Sequence, residues 1–159
     1  MNDRGEGLDI AAGLLKKYFS RRIFSEKLEI VKQGRPTPQL AALTQPGKGF
    51  VRHFQSSNYE RYSWLTASSG HCNLYLWECL LFAKYRCGVW SHGGFSNLSC
   101  LTKSALRHQS TAGHLHATVL LKTFGDTRVD FNSMSKKGNS FTTKSRWLIC
   151  KAYINIILI

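Results

Sequence analysis

Apolar positions fall into patches of helical and strand-like spacing, separated by glycine, proline and charge. Leu8, Ala11, Ala12, Leu15, Tyr18 and Phe19 share one face of a helix predicted over residues 8–18, with Lys16 and Lys17 off that face. A second helix is predicted from Phe24 to Gln33, with Leu28 and Val31 inward and Gly34 then Pro36 as the stop. Residues 34–49 hold all three prolines together with Gly34, Gly47 and Gly49, which reads as a linker or extended strap. Residues 49–54 alternate weakly and fit an edge strand.

The middle of the chain is richer. Leu74-Tyr75-Leu76-Trp77 and Leu80-Leu81-Phe82 read as two short strands around a turn at Glu78-Cys79. Strand alternation puts Leu74 and Leu76 on one side, Tyr75 and Trp77 on the other. Gly88-Val89-Trp90 is a third short apolar piece, and Gly93-Gly94 a turn. Leu98, Leu101, Ala105 and His108 recur at helical spacing, with Asn97 as the expected cap. Another helix is expected from about Thr111, with Ala112, Leu115, Val119 and Leu120 as its apolar stripe. On one straight helix a six-residue step would turn His108 and His114 about 240° apart, so a break between them is needed if both are to reach one ligand. Residues 132–146 are Ser/Thr/Lys-rich and read as a flexible basic segment. Residues 147–159 are apolar and β-branched, interrupted by Lys151 and Asn155, and too short to span a bilayer.

Composition changes this picture in two ways. The 159 residues carry a formal charge of +13, and its distribution is uneven. Residues 1–31 hold six Lys/Arg against five Asp/Glu, whereas the remainder holds sixteen against four. Such asymmetry suits a polyanionic partner, although a generic basic surface would look the same. The five cysteines, Cys72, Cys79, Cys87, Cys100 and Cys150, are odd in number and unevenly spaced, which argues against a disulfide framework. No apolar stretch follows the charged start Met1-Asn2-Asp3-Arg4, so no secretory signal is expected and the setting is read as reducing and intracellular.

Residues 61–124 carry a resemblance. Tyr62-Ser63-Trp64-Leu65, Leu74-Tyr75, Trp77-Glu78-Cys79-Leu80-Leu81-Phe82, Val89-Trp90-Ser91, Gly94-Phe95-Ser96-Asn97-Leu98, His108-Gln109-Ser110-Thr111-Ala112-Gly113-His114 and Leu121-Lys122-Thr123-Phe124-Gly125 follow one another in order. Together they resemble the TTF-type zinc finger that precedes the catalytic part of hAT-family transposases, and its relatives among MYM-type zinc-finger proteins. Gly34-Arg35-Pro36-Thr37-Pro38 and Gly49-Phe50-Val51-Arg52-His53-Phe54-Gln55 extend the likeness upstream. It stops near Asp130, before the family's catalytic domain, which suggests a truncated fragment.

The resemblance implies an α+β fold, with a short β-hairpin plus two helices forming a zinc-finger-like minidomain over residues 50–130. Around it lie a helical segment (1–33), the Pro/Gly linker (34–49) and the tail (131–159). It also implies a Zn²⁺ site with Cys79, His108 and His114 as ligands. The family has a further cysteine where this chain has Leu76, so one of four expected ligands is absent. Cys72, Cys87 and His71 are near enough in sequence to substitute, but none has the tight spacing of a zinc knuckle.

By the same resemblance the partner is DNA, in the nucleus; Arg61, Lys84, Arg86, Lys103, Arg107, Lys122 and Arg128 are candidates for phosphate contact because they surround the finger and few acids oppose them. No membrane association and no small-molecule substrate is expected, and pairing of two copies through the apolar helices stays open. Catalysis is not expected: after Arg61 the acids are Glu78, Asp126 and Asp130, too few for a two-metal nuclease fold in this length, and no Ser/His/Asp pattern is evident. The alternative is a degenerate transposon-derived fragment or interaction module that binds neither DNA nor metal.

Overall fold

The computed structural model describes residues 9–83 and 88–125. It has an α+β architecture with two small antiparallel sheets of two strands each. The predicted features at residues 84–87 and 126–159, including Lys84, Arg86, Cys87, Arg128 and the apolar tail, lie outside the described residues.

Helix α1 (Ile10–Lys16) is shorter than its periodicity suggests. Asp9 caps it, its Oδ1 accepting from the Ala12 N–H at 2.9 Å. At the other end the Arg22 guanidinium donates to the carbonyls of Gly13 (2.8 Å) and Lys17 (3.1 Å), which ends the helix early. A single 3₁₀ turn, Phe19–Arg21, then drives Phe19 into the core, and α2 (Phe24–Gln33) follows with the predicted bounds.

The segment after Gly34 is a packed strap. Pro36 and Pro38 accept from Thr66 Oγ1 (2.7 Å) and the Tyr59 hydroxyl (2.8 Å), and Leu40 and Leu43 are buried. Arg35 donates to the carbonyls of Leu65 and Tyr59. The strap ends in a hairpin of β1 (Thr44–Gly47) and β2 (Phe50–His53), in register Thr44↔His53 to Gly47↔Phe50. Both strands are largely exposed.

Helix α3 (Ser57–Arg61) leads to the second hairpin, β3 (Leu65–Ser68) with β4 (Asn73–Leu76), in register Leu65↔Leu76 to Ser68↔Asn73. Strand β4 is buried on both sides, as its alternation predicts. Leu74 and Leu76 join one core with Trp64, Leu65, Trp90 and Ala117, while Tyr75 joins the other with Phe19, Leu14, Trp77, Leu80 and Leu81. Leu74 also exchanges two 2.9 Å backbone hydrogen bonds with Phe95. That approach relies on Gly94, with φ of +81°, where a Cβ would lie 2.6 Å from Asn73.

The predicted strand at Leu80-Leu81-Phe82 and the turn at Glu78-Cys79 are not formed; the chain passes from β4 into helix α4 (Trp77–Phe82). Trp77, Leu80 and Leu81 recur at i, i+3, i+4 and share the second core, whereas Cys79 faces the first. Burial on two sides gave this helix a nearly continuous apolar run that mimics a strand.

After a π-helical turn at Val89–Gly93 comes a 3₁₀ turn, Leu98–Cys100, and then α5 (Leu101–Gln109). Asn97 does not cap: its Oδ1 accepts from Ser99 Oγ at 2.7 Å and Gln45 Nε2 at 3.2 Å, tying this turn to the first hairpin. Cys100, the last residue of that 3₁₀ turn, is exposed. Helix α6 (Ala112–Thr123) starts as predicted, with Thr111 Oγ1 accepting from the His114 N–H. Its buried face is His114, Ala117 and Val119; Ala112 is exposed and Leu115 and Leu120 only half-buried.

Candidate metal centre

Three elements converge on Cys79. It is the third residue of α4, His108 lies in the last turn of α5, and His114 lies in the first turn of α6. The predicted break between the histidines exists. Thr111 makes it by accepting from His114 N–H and donating its own hydroxyl to the His108 carbonyl at 2.8 Å.

Cys79 Sγ lies 3.4 Å from His108 Nε2 and 3.5 Å from His114 Nδ1. Bonds of about 2.3 Å to sulfur and 2.0–2.1 Å to nitrogen, at the tetrahedral angle, separate sulfur from nitrogen by about 3.6 Å. The two observed edges therefore fit one metal ion bound by all three atoms, which lie within 4.8 Å of one another. Among the described residues no other Cys, His, Asp or Glu adds a ligand atom to this group. Trp64 stands 5.9 Å from the His114 ring and Trp90 6.1 Å from that of His108. Trp64, Trp77, Trp90 and Phe95 are all buried, so they pack the core rather than offer stacking platforms.

Burial holds both imidazoles neutral. It lowers the pKa of His108, and with His108 alongside it brings that of His114 down to about 4. Neutral rings have lone pairs to give, so near pH 7 no imidazolium proton competes with a cation.

Leu76, where the resembling family has cysteine, is fully buried in the same core. It is the N-cap of α4, and Cys79 is the third residue in. Side chains at those two positions stand close enough to exchange capping contacts. Of the substitutes raised from sequence, Cys87 lies outside the described residues, and His71 and Cys72 go elsewhere. His71 Nδ1 is 2.9 Å from Ser68 Oγ, and Cys72, at φ +49°, donates to the Ser69 carbonyl.

A second cluster was not anticipated. Asp9 Oδ2 accepts from Ser68 Oγ (2.8 Å), Ser69 Oγ (3.3 Å) and the Gly70 N–H (2.9 Å), and Ser68 in turn meets His71. Serine, histidine and aspartate are thus brought together, but the hydroxyl lies between carboxylate and imidazole and Ser68 is fully buried. A catalytic triad needs the imidazole in the middle. This cluster is a clasp that fastens α1 to the β3–β4 loop.

Of the cationic residues, Lys103 and Arg107 lie one turn apart and exposed on α5, as expected. Arg61, with its guanidinium 5.5 Å from the Tyr62 ring, and Lys122 are exposed on separate helices, α3 and α6. Each stands in a last turn, where a cation also complements the helix dipole. Arg52 was overlooked. It is exposed on β2 with its guanidinium 4.7 Å from the Phe50 ring, and it lines a groove of about 380 Å³ with Phe54, Asn58, Leu101 and Thr102. Alternation of Phe50 and Arg52 on one strand face was the available signal.

Among the described residues no helix is long and apolar enough to cross a membrane. No family model matches the chain, and neither any curated protein nor any solved structure matches it.

Proposed function

We propose that this chain is a non-catalytic, zinc-organised module that binds DNA through its phosphates, a transposase-derived finger acting in the nucleus. The observation that carries the reading is the convergence of Cys79, His108 and His114 from three helices onto one point, with both sulfur–nitrogen edges at tetrahedral length. A neutral imidazole pair and a thiol are a donor set suited to zinc, and zinc held there would fasten α4, α5 and α6 together. Support for the DNA half comes from charge: sixteen Lys/Arg against four acids beyond residue 31. Lys103 and Arg107 offer a cationic helix face.

The test is a salt-titrated gel shift with zinc-loaded and chelator-treated full chain on duplex DNA. The expected result is binding that weakens with salt at a slope of about −0.9 per phosphate contacted. Loss of binding on zinc removal is expected as well. Absence of binding at low salt would remove the DNA half. Absence of zinc on the purified chain by native mass spectrometry would remove the metal half.

A further inference from the structure

We infer that the β1–β2 hairpin enters the major groove of duplex DNA and that Arg52 reads guanine there. The inference rests on the DNA reading above and goes past its phosphate contacts, to the element and the residue that read bases.

The hairpin has the shape for it. Its strands pair in register from Thr44↔His53 to Gly47↔Phe50, joined by the two residues Lys48 and Gly49, with Gly49 at φ +78°. Every residue of β2 is exposed, and so are Lys48 and Gly49 at the tip. A two-stranded ribbon, its strands about 4.8 Å apart, is one of the two elements that a major groove about 12 Å wide admits.

Its charge also suits. From residue 30 to residue 59 the sequence has no Asp or Glu, while Lys32, Arg35, Lys48 and Arg52 fall within that stretch. Lys48 and Arg52 are the two on the hairpin, so it brings cations and no carboxylate of its own to a polyanion.

The decisive feature is how Arg52 is held. Phe50 and Arg52 share one strand face, and the guanidinium lies over the Phe50 ring at 4.7 Å. The ring in turn lies against Gly47, its cross-strand partner, where a Cβ would come within 2.8 Å of it. Gly47, Phe50 and Arg52 thus form a stack that fixes the plane of the guanidinium. A phosphate contact needs only a mobile cation, such as Lys48. A planar fork with a set orientation matches the paired acceptors O6 and N7 of guanine.

The ribbon is rooted, so the fork is not carried on a loose loop. Gln45, paired with Arg52, accepts from the Ser99 N–H at 2.9 Å and donates to Asn97 at 3.2 Å. Phe54, directly after β2, is buried, and its N–H donates to the Leu43 carbonyl at 3.1 Å. The turn that Gln45 grips leads into α5, the helix of Lys103 and Arg107. Base reading and phosphate contact are therefore tied together through one side chain.

The experiment selects binding sites for the full chain from a randomised duplex library, then measures affinity for the selected duplex and its variants. Selection is expected to enrich at least one guanine. Replacing that guanine by 7-deazaguanine, which lacks N7, should weaken wild-type binding by about 5- to 100-fold. Arg52→Lys keeps the charge but not the fork, so it should erase the preference at that position while still binding duplex of unrelated sequence. A wild type indifferent to 7-deazaguanine, or an Arg52→Lys variant that keeps the guanine preference, overturns the inference and leaves phosphate binding standing. So does duplex binding with no base enriched. A chain that binds no duplex at low salt overturns both readings.

Discussion

Leu76 and Cys79 occupy the N-cap and third positions of one short helix, so a buried hydrocarbon stands over the turn that presents the thiol. Changing Leu76 to cysteine should therefore place a second sulfur beside the first. A full structural zinc set yields about 10–16 kcal/mol, so one ligand carries about 3 kcal/mol, or a roughly hundredfold gain in zinc affinity. Without metal the same variant should be less stable by about 1–3 kcal/mol, because a well-packed leucine is lost. Melting with and without zinc checks both signs.

Cys79→Ser should abolish high-affinity metal binding and make the melting temperature insensitive to zinc and to chelator. His108→Ala and His114→Ala should each do the same. His114→Ala should also lower metal-free stability further, by on the order of 1–2 kcal/mol, since His114 packs against Trp64 in the core. Native mass spectrometry gives the metal count and differential scanning calorimetry the stability.

In the metal-free protein the histidines make stability pH-dependent. The pKa of His114 falls from 6.5 to about 4 on folding, so the unfolded chain binds the extra proton between those values. Stability from this group is complete above pH 6.5 and is lost as pH falls toward 4. Glu78 has the opposite sign. Burial, partly offset by Arg35 and Lys122, pushes its pKa from 4.5 up to about 7, so its contribution is present below pH 4.5 and lost as pH rises through 7. Among the described residues its Oε2 has no hydrogen-bond partner. Glu78→Gln should accordingly stabilise the chain at pH 8, by on the order of 1–2 kcal/mol, and little at pH 5. Urea unfolding at the two pH values decides it.

Asp9→Asn should loosen the clasp and cost about 1–2 kcal/mol, combining a weaker helix cap with weaker acceptance from the β3–β4 loop. Burial alone would raise the Asp9 pKa, but N–H donors from Ala12 and Gly70 and the hydroxyls of Ser68 and Ser69 outweigh it and leave the pKa below 3.8. The wild-type advantage is thus present above pH 3.8 and lost as pH falls below it. Hydrogen exchange at Gly70 across that range would reveal the loosening.

Lys103→Gln with Arg107→Gln should reduce the salt dependence of DNA binding by about 1.8 in slope, two phosphates at about 0.9 each. Fluorescence anisotropy against salt measures it. An unchanged slope would move the interface off α5.

How much of this was legible before folding depends on the kind of signal. The histidine break was readable because helical rotation makes it a geometric demand, and Thr111 is a residue type that opens helices. The two-sided burial of Leu74, Tyr75, Leu76 and Trp77 was readable because strand alternation is strict. Helix α4 was not: six residues with two cores to face leave no polar side to mark the period. The clasp was invisible because Asp9 and Ser68 are 59 positions apart and nothing local links them. Asn97 misled because its side chain serves the neighbouring hairpin rather than its own helix.

Strand β4 acts as a party wall. Leu74 and Leu76 belong to the compartment that contains Cys79, Trp64 and Trp90, while Tyr75 belongs to the compartment that seats α1 and Phe19. Slipping its pairing by one residue would exchange the tenants of both rooms at once, so neither can be rebuilt without evicting the other. The three-helix junction on one side and the amino-terminal helices on the other therefore lean on one shared strand, though none of the cluster's ligands comes from those helices.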